Sequence, residues 1–597
     1  MRNQLLIFVL LWVGVTACDA EQPKEEPSSL PNIVILITDD QGYGDLSCHG
    51  NTVLKTPNLD QLHAESVRFT DFHVGTTCAP SRASLMTGQY CNKVGAWHTI
   101  NGREMVWPDE ILLPELLKKA GYTTGMFGKW HLGDTYPYRP QDRGFDETLV
   151  HGGGGVGQTP DYWNNDYFDD TYFRNGMPEK KEGYCTDVWF DAALSFMEQN
   201  KDKPFFSYIS TNAPHGPFYV DTLYSKVYEG MEEVVNPNFY GMIANIDENL
   251  GRLRSKLTEW GVADNTILMF LTDNGTAAGC QLDKEGYVAK GYNAGMRGKK
   301  GSPFEGGHRV PLFIHWKDGE ITGGKDIDRL AGVFDLVPTI MDWVGPEAPA
   351  GLDWDGTSLR PLIEGQEQAE RILFADTQRK QNLVKYKDYS VMTEKWRLVS
   401  GKLFDIQKDP EQREDVAAAH PEVIDSLMVV YEGWWKKMSA RAGDYCYFHL
   451  GKATGERYTL TEHDLLNNDQ RVAWNQGHIR AGRGTQGYWP VQIEAAGKYR
   501  FDLRRWPEES GLKILDAAPE GDAIPQGRAY KAGTALSFKA ANISIGGQQA
   551  ETDVHPDSAA VQFTLELAPG QYQLSANFID EANQASSCYY IYAERLD

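Results

Sequence analysis

Four strand-like runs of this 597-residue chain end in groups able to do polar chemistry. NIVILIT, Asn32 to Thr38, runs into Asp39-Asp40, and TILMFLT, Thr266 to Thr272, into Asp273-Asn274. PFFSYIST, Pro204 to Thr211, leads to His215, while YTTGMF, Tyr122 to Phe127, leads to Lys129 and His131. Asp39, Asp40, Asp273 and Asn274 are hard oxygen donors, and three carboxylates gathered together repel unless a cation sits among them; Ca²⁺ or Mg²⁺ suits such a set. The plainer reading of each pair, a helix cap or an Asx turn, loses ground beside a third feature, TTCAPSRASLMTG, Thr76 to Gly88. Pro80 fits a first helical turn, so residue 78 faces a helix N-terminus, with the charge of Arg82 one turn on. That combination suits an anion.

The elements that must position these groups are legible around them. Continuous β-branched runs read as strands buried on both faces, and EILLPELLKKAG and NFYGMIANIDENLGRLRSKLTEWG read as helices closed by Gly121 and Gly261. Strand–helix alternation predicts an α/β domain, a mostly parallel sheet flanked by helices, with ligands at the carboxyl ends of its strands. From 441 the pattern changes: KYRFDLRRW alternates, and VQFTLELAPGQYQLSANF alternates around Pro569-Gly570, which predicts an appended β-sandwich-like domain to 597.

With Lys+Arg 58 against Asp+Glu 83, a net charge of −25 argues against nucleic acid as a partner, and an anionic substrate must be met by local cations. The opening MRNQLLIFVLLWVGVTACDA reads as an export signal over residues 1–18, and VTAC resembles a bacterial lipobox with Cys18 as the lipidated residue, the alternative being an ordinary signal peptide cleaved near Ala17 or Ala20. Residues 19–30 form an acidic tether ahead of a catalytic domain at 31–372. The expected location is the bacterial envelope, periplasm or outer-membrane surface, with lipid as the only membrane contact. Of eight cysteines, setting aside Cys18 and Cys78 leaves six, enough for up to three disulfides. No Cys-x-x-Cys pair supports a thiolate zinc site.

The motifs CAPSRASLMTG (78–88), GMFGKWHLG (125–133), ITDDQGYGDL (37–46), LTDNG (271–275) and GKKGSPFEGGHRVP (298–311) together resemble those of type I sulfatases in the alkaline phosphatase superfamily. The resemblance covers roughly residues 31 to 440, and over 373–440, similar to the family's small C-terminal subdomain, it implies a short antiparallel sheet leading into a helix. It implies that a separate maturation enzyme oxidises Cys78 to Cα-formylglycine (3-oxoalanine). The hydrated aldehyde is a geminal diol: one hydroxyl attacks sulfur, and the second later expels sulfate. A plain alcohol would form a sulfate ester with no internal route of release. The resemblance further assigns Asp39, Asp40, Asp273, Asn274 and residue 78 to Ca²⁺, with Mg²⁺ as the alternative. Arg82 and Lys129 would hold the modified residue, and His131 would take the second hydroxyl's proton. His215 and Lys300 would bind sulfate and serve the leaving alcohol, Lys299 being the fallback for Lys300.

Loops at 95–104, 139–147 and 151–170 carry aromatic, Asn, His and Arg side chains suited to sugars, and Trp97, His98, Arg103, His151 and Trp163 are the candidate substrate-binding residues. The glycines at 152–155 are no phosphate loop, because no Gly-Lys-Ser/Thr follows. The expected activity is hydrolysis of sulfate esters on an oligo- or polysaccharide, with algal glycans such as ulvan, fucoidan or carrageenan, or animal glycosaminoglycans, as candidates. A phosphonate or phosphate ester hydrolase is one alternative, and an inactive glycan-binding surface lipoprotein another.

Overall fold

The computed structural model describes residues 30–345, 351–467, 471–525 and 527–597. The signal and Cys18 lie outside them. Five parallel strands form the middle of a ten-stranded sheet: β1 (Asn32–Thr38), β2 (Thr123–Lys129), β3 (Glu147–His151), β4 (Phe205–Ser210) and β5 (Thr266–Thr272). They lie in the order β5-β1-β4-β2-β3, all parallel. Antiparallel edges are added by Leu312–His315 beside β5 and Thr171–Arg174 beside β3. Ile33 to Ile37 are wholly buried, each worth about 2 kcal/mol of transfer free energy, which is why a central strand can be an unbroken aliphatic run.

Helices cover both faces. Among them are α1 (Cys78–Thr87), α2 (Cys185–Asn200) and α3 (Pro237–Glu259), which Asn236 caps through its side chain. Gly88 ends α1 in the left-handed conformation, φ 70°, and its N–H donates to the Ser84 carbonyl. β1, β2, β4 and β5 all end at the same sheet edge, so Asp39-Asp40, Lys129, Asn212 and Asp273-Asn274 emerge together.

Four antiparallel strands between Leu373 and Asp405 pack against the helix Pro421–Met438 through Val391, Leu398, Leu427 and Tyr431. Beyond residue 441 two further sheets share one apolar core. Tyr499, Phe501 and Leu503 point into it, fully buried. The strands on either side of Pro569-Gly570 do not pair with each other: Val561–Leu567 joins Gly497–Arg504, whereas Gly570–Asp580 joins the other sheet. The turn therefore crosses between sheets, and both strands put their apolar face into the shared core. Trp97, Met105, Trp107 and Tyr138 of the α/β part belong to that same core.

All seven described cysteines are free, so the disulfides that six cysteines would allow are not formed. The thiols sit apart in different neighbourhoods: Cys91 donates to Asn92, Cys446 to the Met105 carbonyl, and Cys185 and Cys588 fill separate cores. Among the described residues no helix is long and apolar enough to cross a membrane.

Candidate active site

Cys78 opens α1, and its Sγ–H donates to Asp39 Oδ1 at 3.3 Å, with Asp40 Oδ1 at 4.0 Å. Ligand atoms of Asp39, Asp40, Cys78 and Asp273 all lie within 4.8 Å of one another. Asp40 adopts a left-handed backbone, φ 68°, and its N–H donates to Asp273 Oδ1 at 3.0 Å. So does His131, φ 61°, just past the end of β2. Both conformations are costly for residues with a Cβ and persist only where surrounding contacts fix them.

Three cations answer the three carboxylates. Lys129 Nζ donates to Asp39 Oδ2 at 2.7 Å, Arg82 Nη2 to Asp273 Oδ2 at 2.8 Å, and Lys300 Nζ to Asp40 Oδ1 at 2.5 Å. The first two pairs are wholly buried; removing one partner leaves a bare charge, a cost of about 3–5 kcal/mol. Arg82 is further fixed by Ser210 Oγ and by the Lys129 carbonyl. Burial opposes the charge on Asp40, but Lys300 and then His215 hold its carboxyl below the usual range. For Asp273, burial, with Asp39 next, wins and raises the carboxyl to about 6. Burial and Asp39 push the Cys78 thiol up to about 12, so the encoded sulfur is a protonated thiol at neutral pH and a poor nucleophile.

His131 Nε2–H donates to the Thr99 carbonyl at 3.0 Å, which leaves Nδ1 buried and without a partner among the described residues. Burial and then Lys129 hold this imidazole well below its ordinary pKa, hence neutral. His215 Nδ1–H donates to the Gly216 carbonyl at 2.6 Å, and its Nε2 lies 3.7 Å from Asp40 Oδ2. Lys300 Nζ also reaches Cys78 Sγ at 3.6 Å, while Lys299 Nζ points to the Ala277 carbonyl, so Lys300 is the lysine at the site. Only His215 and Lys300 reach solvent, 22 % and 16 % of their side chains, so a substrate enters from their side.

The oxygen-rich set fits a hard divalent cation. Asn274 Nδ2 donates to Asp40 Oδ1, yet its Oδ1 is buried without a partner among the described residues, an unmet acceptor beside three carboxylates.

The five substrate-binding candidates are all buried, and the structure gives each a partner within the protein. Trp97 stacks on the Arg103 guanidinium at 4.4 Å and gives its N–H to the Lys380 carbonyl. Arg103 in turn donates to the Gln381 and Asp444 carbonyls. Trp163 packs on Trp506, ring centroids 5.3 Å apart, with Arg480 over its face. His98 accepts from the Thr99 N–H, and buried His151 bonds the Gly152 carbonyl. Aromatic and Arg-rich loops make contacts of the same kind in a core as on a sugar, and here the core receives them. Sequence reasoning missed Thr99 and Ser210, which orient His131 and Arg82, and the glycine run: a Cβ on Gly154 would stand 2.2 Å from His131 Cε1. Four successive glycines were the signal for that close approach.

Comparison with known proteins agrees with this geometry. The family model described as Sulfatase matches residues 31–346, and one described as N-sulphoglucosamine sulphohydrolase, C-terminal, matches residues 299–429. N-acetylgalactosamine-6-sulfatase of Sus scrofa is 31% identical over 483 residues, 76% of this chain and 85% of its own; that of Rattus norvegicus is 34% identical over 383 residues, 60% and 70%. The crystal structure of Ps i-CgsB in complex with k-i-k-neocarrahexaose superposes with TM-score 0.61 at 28% identity, covering 68% of this chain and 93% of that one. The PsFucS1 sulfatase from Pseudoalteromonas sp., at 21% identity and TM-score 0.57 over 70% and 92%, shares the fold. Sheet, cage and matched residues place the chain in the sulfatase family: it is a type I sulfatase of the alkaline phosphatase superfamily, a sulfuric ester hydrolase.

Proposed function

We propose that this enzyme removes sulfate from a sulfated carbohydrate, with residue 78 acting as Cα-formylglycine beside a divalent cation held by Asp39, Asp40, Asp273 and Asn274. The observation that carries the reading is the position of Cys78 at a helix N-terminus, within 4.8 Å of three carboxylate ligand atoms and beside the unmet Asn274 oxygen. The hydrated aldehyde supplies an attacking hydroxyl and a second hydroxyl for release, and Ca²⁺, which the oxygen donors favour over a softer ion, supplies charge for the attacking oxygen and sulfate. Lys129 and Arg82 fix the carboxylates that would hold the cation. His131, neutral and with Nδ1 free, takes the proton whose loss expels sulfate. Lys300 and His215, at the open side, bind sulfate oxygens, and His215 serves the departing alcohol.

The carbohydrate rests on the relatives, one named N-acetylgalactosamine-6-sulfatase and another in complex with k-i-k-neocarrahexaose. Exposed Arg379 has its guanidinium carbon 3.9 Å from a Cβ built on Gly301, next in sequence to Lys300, and exposed Arg528 donates its backbone N–H to the Tyr219 hydroxyl. A marine polysaccharide such as ulvan or carrageenan fits these features and the lipobox. On this reading the enzyme is exported and tethered through lipid on Cys18.

The test is sulfate release from a panel of defined sulfated oligosaccharides and an aryl phosphonate. Release from at least one glycan is expected; turnover of the phosphonate alone overturns the reading. Mass spectrometry of the peptide spanning residue 78 should find sulfur exchanged for oxygen with two hydrogens lost, and an intact thiol in active enzyme would contradict the nucleophile.

A further inference from the structure

A second group of ligand-type side chains lies where the α/β part meets the C-terminal sheets. Glu104 follows the 98–103 turn, and His463 and Asp464 come from the short 3₁₀ turn Glu462–Asp464. Their ligand atoms lie within 4.8 Å of one another, and the residues are 1%, 0% and 3% exposed. His463 Nδ1 is 2.5 Å from Asp464 Oδ1. Both Glu104 oxygens and His463 Nε2 are buried; among the described residues the imidazole nitrogen has no partner, and the Glu104 carboxyl meets no donor other than a proton shared with the Asp464 carboxyl beside it. Oδ1 of Asn101, whose N–H donates to the His463 carbonyl, is also buried with no partner among the described residues.

The charge balance differs from that around residue 78. There, every carboxylate faces a Lys or Arg; here, among the described residues, neither Glu104 nor Asp464 has an ion pair with either, and His463 is the one titratable base in contact. Asp134, close enough for Asp464 to act on it, adds a third acid. A buried carboxylate with its hydrogen bonds unmade costs several kcal/mol, so the group must hold either a shared proton or a cation. A third cluster, Cys48, His49 and His63, offers softer ligands, but Arg68 Nη1 stands 3.0 Å from His63 Nδ1 and a cation would meet its charge.

We propose that Glu104, His463 and Asp464 bind a divalent first-row transition ion such as Zn²⁺, which staples the C-terminal sheets to the loop that orients His131. One imidazole and two carboxylates suit zinc better than calcium, whose sites are built from oxygen alone. Entry is provided by a cavity of ≈ 400 Å³ lined in part by Asp134, Thr461 and Asp464. The staple has a functional consequence: Thr99 and Asn101, in the loop before Glu104, bind His131 and the His463 carbonyl respectively.

The test is metal analysis of the whole enzyme after exhaustive chelation and reloading with Ca²⁺ and Zn²⁺, together with diffraction data above and below the zinc edge. Wild type is expected to retain one Zn²⁺ per chain with an anomalous peak between Glu104 and His463. Glu104→Gln and His463→Ala should each lose that zinc, keep calcium, and unfold at a lower temperature than the zinc-loaded wild type. The wild-type diffraction needs no variant to fold. No peak between Glu104 and His463, or zinc held equally by both variants, overturns the proposal and leaves the shared proton as the explanation.

Discussion

At the residue scale the site, on the function proposed above, separates what the gene encodes from what the chemistry requires. A thiol held at about 12 by burial and Asp39 is inert at neutral pH, so the cage around Cys78 makes sense for an oxygen nucleophile rather than for sulfur. Cys78→Ser keeps an oxygen but offers a single hydroxyl, so it should complete one transfer and stop. Mass spectrometry should find a sulfate ester on residue 78, and steady turnover by this variant would refute the two-hydroxyl argument. His131→Ala should lower kcat by about 10²–10⁴-fold, the usual worth of a general base. Because burial and Lys129 hold His131 well below its ordinary range, the neutral form persists as pH falls through 6.5, the value of a free histidine. The acid limb of kcat that His131 controls should therefore lie below pH 6.5, and a limb missing from His131→Ala would identify it.

At the element scale, strands deliver the chemistry and loops fix its orientation. The strands were legible because β1 and β5 hold the unbroken apolar runs Ile33–Ile37 and Ile267–Leu271, each closed by a Thr and followed at once by an aspartate at the sheet edge. Thr99, Ser210 and Glu104 were not, since each matters only through a partner at least 30 residues away, and no local spacing encodes such a pairing. The aromatic loops are ambiguous for a related reason: Trp97 and Trp163 have the same composition signature whether they meet sugar or pack, as they do on Arg103 and Trp506, within the protein. The glycine loop gives a sharp test of orientation by backbone. Gly154→Ala puts a methyl 2.2 Å from the His131 ring, an overlap costing about 1–3 kcal/mol unless the ring moves, whereas Gly155→Ala meets nothing nearer than 3.4 Å. Thermal melts and kcat measured together should find Gly154→Ala impaired in both and Gly155→Ala close to wild type in stability. Equal melting temperatures for the two would show that the loop yields and does not hold His131.

At the scale of the whole molecule, the C-terminal sheets are part of the catalytic body rather than an appendage on a linker. The change of pattern at residue 441 marks where strand–helix alternation stops, but hydrophobic burial does not stop there: Trp97, Met105, Trp107 and Tyr138 finish their packing among Phe448, Leu460 and Trp489. Polar contacts cross the same junction, from Asn101 to the His463 and Leu465 backbone, from Thr135 to the Thr459 carbonyl and from Arg103 to the Asp444 carbonyl. A chain ending at Ala440 would expose two tryptophans and a tyrosine that are now almost fully buried, about 1.5–3 kcal/mol of transfer free energy for each large side chain, and would strip the partners from the loop that carries Thr99. Domain stabilities are only about 5–15 kcal/mol, so that loss is decisive. Expressed without residues 441–597, the enzyme should be insoluble or, if recovered, should melt at a markedly lower temperature and release no sulfate. A soluble truncated form with wild-type kcat would mean that the α/β part orients His131 unaided and that the shared core is dispensable.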